Sequence, residues 1–202
     1  MDLFTDSTTN LLPGDGVVHY HGPILKQADE RRFFDGLMEE VPWAGDELVM
    51  FGKRIVTNRK VAWFGDGGFL YRYSGTEKTA IPWTPLLREL KQRVEDRTAE
   101  VFNSCLLNLY HDGGEGMRWH SDDEPTLEED SSIASLSLGV ERKFSFKHRE
   151  TKETVSLQLE RGSLLVMKGE TQRHWLHSLP KTKKVDQPRI NLTFRRFQVS
   201  SV

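Results

Sequence analysis

From residue 101 to residue 197 the chain breaks into short runs in which apolar and polar residues alternate. No other feature constrains its fold as much. Successive side chains of an extended strand point to opposite faces, so alternation marks a strand with two unlike sides. Residues 133–139, 142–147 and 189–195 read this way, and 102–110, 154–159 and 163–167 read as further strands. Turn residues separate them, among them Gly113-Gly114-Glu115-Gly116 and Arg161-Gly162. Many short strands joined by turns predict two packed sheets, a jelly roll or a related barrel.

The N-terminal half has a different texture. Phe33, Phe34, Leu37 and Met38 recur at helical spacing over residues 27–40, and Val41-Pro42-Trp43 ends that run. A second helix is expected over residues 86–97, with Leu86, Leu87, Leu90 and Val94 on one side and Ile81-Pro82-Trp83-Thr84-Pro85 capping it. Residues 17–21 suit a short strand, and His19 and His21 on it are expected at the surface. Residues 1–16 end in Leu-Leu-Pro-Gly-Asp-Gly and read as a loosely held arm. The fold class is therefore α+β, with one domain over residues 17–202. Over residues 48–75, Lys53, Arg54, Arg59, Lys60 and Arg72 are interleaved with Phe51, Trp63, Phe64, Tyr71 and Tyr73. That mixture suits nucleic acid, because cations neutralise phosphates and rings stack on bases. A sheet with one buried aromatic face and one solvated face has the same composition.

Composition excludes several classes. With a formal net charge of −2, the chain is no polycation, so contact with nucleic acid needs a local basic face. The single cysteine, Cys105, rules out an internal disulfide framework and a cysteine-rich zinc site, and its apolar neighbours predict a buried thiol. No apolar run approaches the ~18 residues of a membrane span, and no export signal opens the chain. A soluble intracellular protein, monomeric and without a membrane, is expected.

Chemistry enters at His120-Ser121-Asp122. On an extended segment, an imidazole and a carboxylate two residues apart share a face. Together they make two parts of the 2-His-1-carboxylate set that holds non-haem Fe(II). Alone the pair fits a solvent-facing turn as well. His174 and His177 are both placed to complete a site, and spacing does not choose between them. In 189–195, Ile190, Leu192 and Phe194 point one way, and Arg189, Asn191, Thr193 and Arg195 the other. A wet strand face explains this, and so does a cavity wall that binds a dicarboxylate through guanidinium groups. In an extended strand the two arginines stand ~20 Å apart, too far to grip one small ligand without bending or long reach.

Taken together, His120-Ser121-Asp122, His177-Ser178-Leu179-Pro180 and Arg189-x-Asn191-x-Thr193-x-Arg195 resemble the AlkB family of Fe(II)- and 2-oxoglutarate-dependent dioxygenases, in the manner of its DNA-repair branch. Asn108-x-Tyr110 and Asp123-Glu124 belong to the same pattern. So do Phe51-Gly52-Lys53, Gly65-Asp66-x-Gly68 and Tyr71-x-Tyr73-Ser74-Gly75, in order, so that the resemblance spans roughly residues 48–197. It implies a double-stranded β-helix (jelly-roll) core over residues 101–197 with a nucleotide-recognition lid over residues 48–75. It implies that His120, Asp122 and His177, and not His174, ligate Fe(II). Asn108, Tyr110, Arg189, Asn191, Thr193 and Arg195 would surround 2-oxoglutarate, with an arginine on its distal carboxylate. Tyr71, Tyr73, Ser74 and Asp123 would form the base pocket, with the base held between Tyr73 and the His120 ring. Phe51, with Met50 beside it, would wedge into the stack of a flipped nucleotide, and Lys53 and Arg59 would touch the DNA backbone.

The implied reaction uses O2 and 2-oxoglutarate to hydroxylate an N-alkyl carbon of 1-methyladenine, 3-methylcytosine or an etheno adduct in single- or double-stranded DNA. The products are succinate, CO2, an aldehyde and the repaired base. Two alternatives keep parts of this reading: the same chemistry on RNA or protein, and a β-helix that only binds nucleic acid. Tyr73 stands where a phenylalanine is expected in a close vertebrate relative. Residues 144–152 look like a shortened, less basic form of the loop that grips the opposite strand in duplex-preferring members.

Overall fold

The computed structural model describes residues 9–50, 53–67, 70–73 and 76–198, with side chains over 9–45, 56–67 and 79–198. The elements run β1 (Val17–Pro23), α1 (Gln27–Glu40), β2 (Ala44–Met50), β3 (Lys53–Gly65), β4 (Leu70–Tyr73), β5 (Thr76–Thr79), β6 (Ile81–Pro82) and α2 (Pro85–Thr98). Then come β7 (Ser104–Tyr110), β8 (Met117–His120), β9 (Ile133–Gly139), β10 (Arg142–His148), β11 (Thr154–Leu159) and β12 (Ser163–Lys168). A short helix α3 (Thr171–His174), β13 (Trp175–Leu179) and β14 (Arg189–Arg195) complete the described chain.

The strands form two layers. A major sheet has the order β1-β12-β9-β14-β7-β3-β2, with β6 added in parallel to β3. A minor antiparallel sheet has the order β11-β10-β13-β8, and β4 and β5 pair by themselves. Strands adjacent in space are mostly distant in sequence, as in a jelly roll: β14 lies between β9 and β7. The sandwich expected from alternation is therefore present, with the two long helices outside it.

Each face of the major sheet has its own core. On the outer face, Phe33 and Leu37 of α1 and Leu87, Leu90 and Val94 of α2 pack against Leu107, Leu136, Leu164, Ile190, Leu192 and Phe194. Between the sheets lie Val18, Tyr110, Ile133, Phe144, Phe146, Leu165, Met167 and Trp175. Buried Glu30 ties α1 to the sheet by accepting the Gly139 N–H at 2.7 Å. At the start of α2 the Thr84 hydroxyl accepts the Leu87 N–H at 3.2 Å, and Pro85 follows it. Such a cap satisfies an otherwise orphaned donor. Thr84→Ala should lower stability by ~1 kcal/mol in urea unfolding while leaving the slope of the transition unchanged.

Two expectations change. The arm expected to be loose over residues 1–16 is fastened in its described part. Asn10 bridges to His19, its Oδ1 accepts the N–H groups of Leu12 and Val18, and Trp175 donates its indole N–H to the Gly14 carbonyl at 3.0 Å. Leu12 is buried in the inter-sheet cluster, and that apolar contact holds the segment down. Within the 48–75 region, β3 runs for 13 residues and pairs with β7 from Lys60 to Gly65, so part of the expected lid is built into the major sheet. His19 and His21, expected at the surface, are half-buried on β1.

Candidate metal and cosubstrate site

His120 closes β8 and stands opposite His177 of β13 across the minor sheet. Their rings lie 4.2 Å apart between centroids. Asp122 sits just beyond the strand, buried, with its Oδ1 3.8 Å from the Nε2 of each histidine. One ligand atom from each of the three falls within 4.8 Å of the others. Glycine makes this approach possible. The turn at residues 113–116 lies so close to residues 179–185 that a Cβ on Gly113 or Gly116 would collide with the Thr182 or Leu179 carbonyl. Buried Arg142 fastens the same turn by donating to the carbonyls of Asp112, Glu115 and Pro180.

Hydrogen bonds set the protonation of the donors. His120 Nδ1 lies 2.8 Å from the Arg118 carbonyl, which can only accept, so Nδ1 carries a proton and Nε2 is the nitrogen turned toward Asp122. Burial, aided by the neighbouring His120 ring, pushes His177 down to about 3 and holds it neutral. Burial by itself would raise the Asp122 carboxyl. The Arg195 guanidinium, 2.7 Å away, outweighs it and holds that group below its ordinary value. Arg195 donates to Asp122 Oδ2 at 2.7 Å and to Glu124 at 3.2 Å, leaving Oδ1 turned to the imidazoles. The Asp122 N–H is fixed by Gln172 at 2.9 Å. Two imidazoles and one carboxylate make a donor set that fits Fe(II) with open positions.

The inward face of β14 continues the site. Arg189 Nη2 donates to Ser137 at 2.9 Å and to Asn191 at 3.2 Å, and Asn191 reaches Ser135 and Thr193. All seven residues of β14 are buried, so the wet-face reading fails: the polar side lines a cavity between the sheets. That cavity, about 60 Å³, is bounded by Asn108, Tyr110, Arg189, Asn191, Thr193 and Arg195 together with the three candidate ligands. Arg189 Nε and Nη1 and Asn108 Oδ1 are buried there without a hydrogen-bond partner. The guanidinium lies 5.6 Å from the centre of the Tyr110 ring, and burial lowers its pKa to about 10. A buried cation with two unused donors fits the distal carboxylate of 2-oxoglutarate. The ~20 Å separation of the arginines is bridged by side-chain reach, since both line this one cavity.

A larger cavity of about 540 Å³ opens beside it. His120, Asp122, Asp123, Glu124 and Arg195 line it together with Pro42, Ala44, Gly45 and Trp63. Arg59, expected on the DNA backbone, is buried in this wall and donates to Met117 Sδ at 3.5 Å. Asp123 lies exposed at the mouth, accepting from the Ser121 hydroxyl at 3.1 Å. Lys53 lies on β3 and Tyr71 and Tyr73 on β4, with side chains outside the described residues; Phe51 and Ser74 lie outside them altogether. His174 stands apart on α3, its ring parallel to that of His148. The sequence reading passed over Ser135, Ser137 and Gln172. The serines alternate with Leu136 and Leu138 in register with the polar side of β14, a signal visible in the sequence. Gln172 meets Asp122 across 50 residues and had none.

A family model described as the 2OG-Fe(II) oxygenase superfamily matches residues 16–195. The chain is 40% identical over 196 residues to the DNA oxidative demethylase ALKBH2 of Mus musculus, covering 92% of this chain and 82% of that one. It is 38% identical over 181 residues to the alpha-ketoglutarate-dependent dioxygenase alkB homolog 3 of Homo sapiens, covering 85% and 62%. A solved structure titled "The structure of OsALKBH1" superposes with a TM-score of 0.63 at 16% identity, covering 92% of this chain and 98% of that one, and so shares the fold. The chain belongs to the 2OG-Fe(II) oxygenase superfamily, in its AlkB branch, and is an Fe(II)- and 2-oxoglutarate-dependent dioxygenase that uses O2.

Proposed function

We propose that this dioxygenase removes N-alkyl groups from bases in DNA, restoring 1-methyladenine, 3-methylcytosine and etheno adducts directly. The observation that carries the reading is the junction of the two cavities. His120 and Asp122 line both a 60 Å³ polar cavity, which holds His177 and the unused donors of Arg189, and a 540 Å³ cavity, which holds Asp123 and Glu124. The relatives named DNA oxidative demethylase support the substrate class.

His120, Asp122 and His177 would hold Fe(II), and Arg189, Asn191, Thr193, Asn108, Tyr110 and Arg195 would hold 2-oxoglutarate. With O2, these groups supply the oxidation that turns 2-oxoglutarate into succinate and CO2 and hydroxylates the alkyl carbon. The protein's own contribution is placement. Arg195 orients the Asp122 carboxylate, and the Arg118 carbonyl fixes the His120 tautomer. The larger cavity admits a flipped base, because an atom inside a duplex cannot reach the site, and a lesion that blocks pairing lowers the cost of flipping. Asp123 at its mouth attracts the permanent positive charge of a methylated base. On the same reading, Tyr71, Tyr73 and Ser74 contact the base, Phe51 fills the vacated stack, Lys53 lies along the strand, and Arg59 belongs to the cavity wall and not to the backbone contact. A soluble monomer working inside the cell, where the DNA is, completes the proposal.

The direct test is loss of the methyl group from a 3-methylcytosine oligonucleotide, with succinate formed in equal amount. Succinate without demethylation of any alkylated DNA or RNA would sink the substrate assignment and leave the dioxygenase. Faster turnover of a matched RNA oligomer would move the substrate to RNA. Asp123→Asn should lower kcat/KM about fivefold on cationic 3-methylcytosine, the scale of a solvent-screened charge pair, and leave a neutral etheno adduct unchanged.

A further inference from the structure

We propose that the outer face of the minor sheet, centred on Trp119 and Lys147, is a platform for the single-stranded DNA that flanks the flipped base. The proposal rests on the demethylase reading above. Trp119 is 41% exposed, one of the few large apolar side chains left in water among the described residues. It immediately precedes His120, so it stands one residue from the candidate metal site, on the edge strand β8. The Lys147 ammonium lies 5.7 Å from the centre of its ring. Strand alternation turns Phe144, Phe146 and His177 inward and Lys143 and Lys147 outward, so indole and ammonium share the outer face.

Charge selects the partner. None of β8, β10, β11 and β13 contains an aspartate or a glutamate; carboxylates stand only at the strand ends, with Glu141 before β10, Glu150 and Glu153 in the turn before β11, Glu160 after it, and Asp15 3.3 Å from His148 Nε2. Residues 122–130, by contrast, carry six carboxylates (Asp122, Asp123, Glu124, Glu128, Glu129 and Asp130) against the three arginines that pair with them, Arg195, Arg196 and Arg173, and so keep an excess of negative charge. A polyanion leaving the large cavity is repelled over that segment and tolerated over the acid-free sheet. An exposed indole then offers a stacking surface, and a neighbouring ammonium can neutralise one phosphate. Single strands fit this better than duplex, because bases already stacked in a helix have no free face for the indole.

The test is fluorescence anisotropy with an unmodified oligothymidylate of about fifteen nucleotides, alongside kinetics on a 3-methylcytosine oligomer and on 3-methyldeoxycytidine monophosphate. Trp119→Ala should raise Kd and the oligomer KM about 5- to 100-fold with kcat unchanged. The same variant should match wild type on the monophosphate, which has no flanking base. Trp119→Phe should stay within a few-fold of wild type. Lys147→Ala should reduce the slope of log Kd against log salt by about 0.7, one phosphate contact on a single strand. Should Trp119→Ala melt early, the Phe and Lys147 variants decide. Equal oligothymidylate binding by wild type and Trp119→Ala, both with wild-type melting curves, overturns the platform whatever the enzyme's activity. Trp119-dependent binding by an enzyme that demethylates no DNA supports the platform and sinks the demethylase reading instead.

Discussion

Asp122→Ala should yield a folded protein that retains almost no iron and forms no measurable succinate. The carboxylate has two tasks in the structure. Its Oδ1 faces both imidazoles at 3.8 Å, and its Oδ2 takes a 2.7 Å hydrogen bond from Arg195. Removing an outer-shell partner of a metal ligand costs 10- to 100-fold in affinity or activity, so losing the ligand itself should exceed about 100-fold. It also takes a partner from buried Arg195, although Glu124 still accepts from Nη1 at 3.2 Å. Breaking a buried pair outright costs ~3–5 kcal/mol, and this remaining contact should keep the loss of stability below that range. Metal analysis after anaerobic reconstitution, paired with thermal melting, separates the two effects. Equal iron in wild type and variant would count against the triad. Chelating iron from the wild type should abolish turnover without unfolding it, because both hydrophobic clusters are built without the metal.

Arg189→Met should have the opposite signature: metal-free stability equal to or above wild type, with 2-oxoglutarate binding lost. The guanidinium is fully buried, and its Nε and Nη1 have no hydrogen-bond partner. Replacing an uncompensated buried charge by an apolar side chain of similar volume is neutral or stabilising. Once the distal carboxylate of the cosubstrate pairs with Arg189, the balance reverses. Removing one member of such a pair costs ~2–5 kcal/mol, a ~30- to several-thousand-fold rise in Kd. Titration calorimetry with 2-oxoglutarate measures this directly. A thermal shift gives the same answer, since a ligand at 100 times its Kd stabilises wild type by ~2.7 kcal/mol and should hardly move the variant. Pyruvate, which has no distal carboxylate, should bind both proteins alike. A variant that binds 2-oxoglutarate within threefold of wild type, or melts well below it without ligand, would show that Arg189 serves the fold and not the cosubstrate.

Much of the architecture follows from local patterns. Period-two alternation predicts β9, β10 and β14, and helical spacing predicts α1 and α2 within a residue at each end. These signals survive because each element buries one face against a continuous core, so its pattern repeats along its own length. Strands β8 and β13, which carry the two candidate histidine ligands, are four and five residues long and have no such repeat. Their pairing depends on the close approach of residues 113–116 to residues 179–185, a contact between segments far apart in the chain.

The same division runs through the site. Residue identity alone determines the donors: an imidazole and a carboxylate at His120 and Asp122, a later histidine, and a polar row from Arg189 to Arg195. With the family motifs in order, it also determines the chemistry. Tertiary structure decides the rest, because only packing assigns direction and dielectric. It turns His177 to the cavity and leaves His174 outside. It buries the polar side of β14 against Ser135 and Ser137 instead of exposing it to water. It converts two arginines distant along a strand into walls of one cavity, with Arg195 used on Asp122 and Arg189 left with unused donors. A side chain's charge is written in the sequence; whether that charge is paired, desolvated or waiting for a ligand depends on what the fold brings within 3 Å of it.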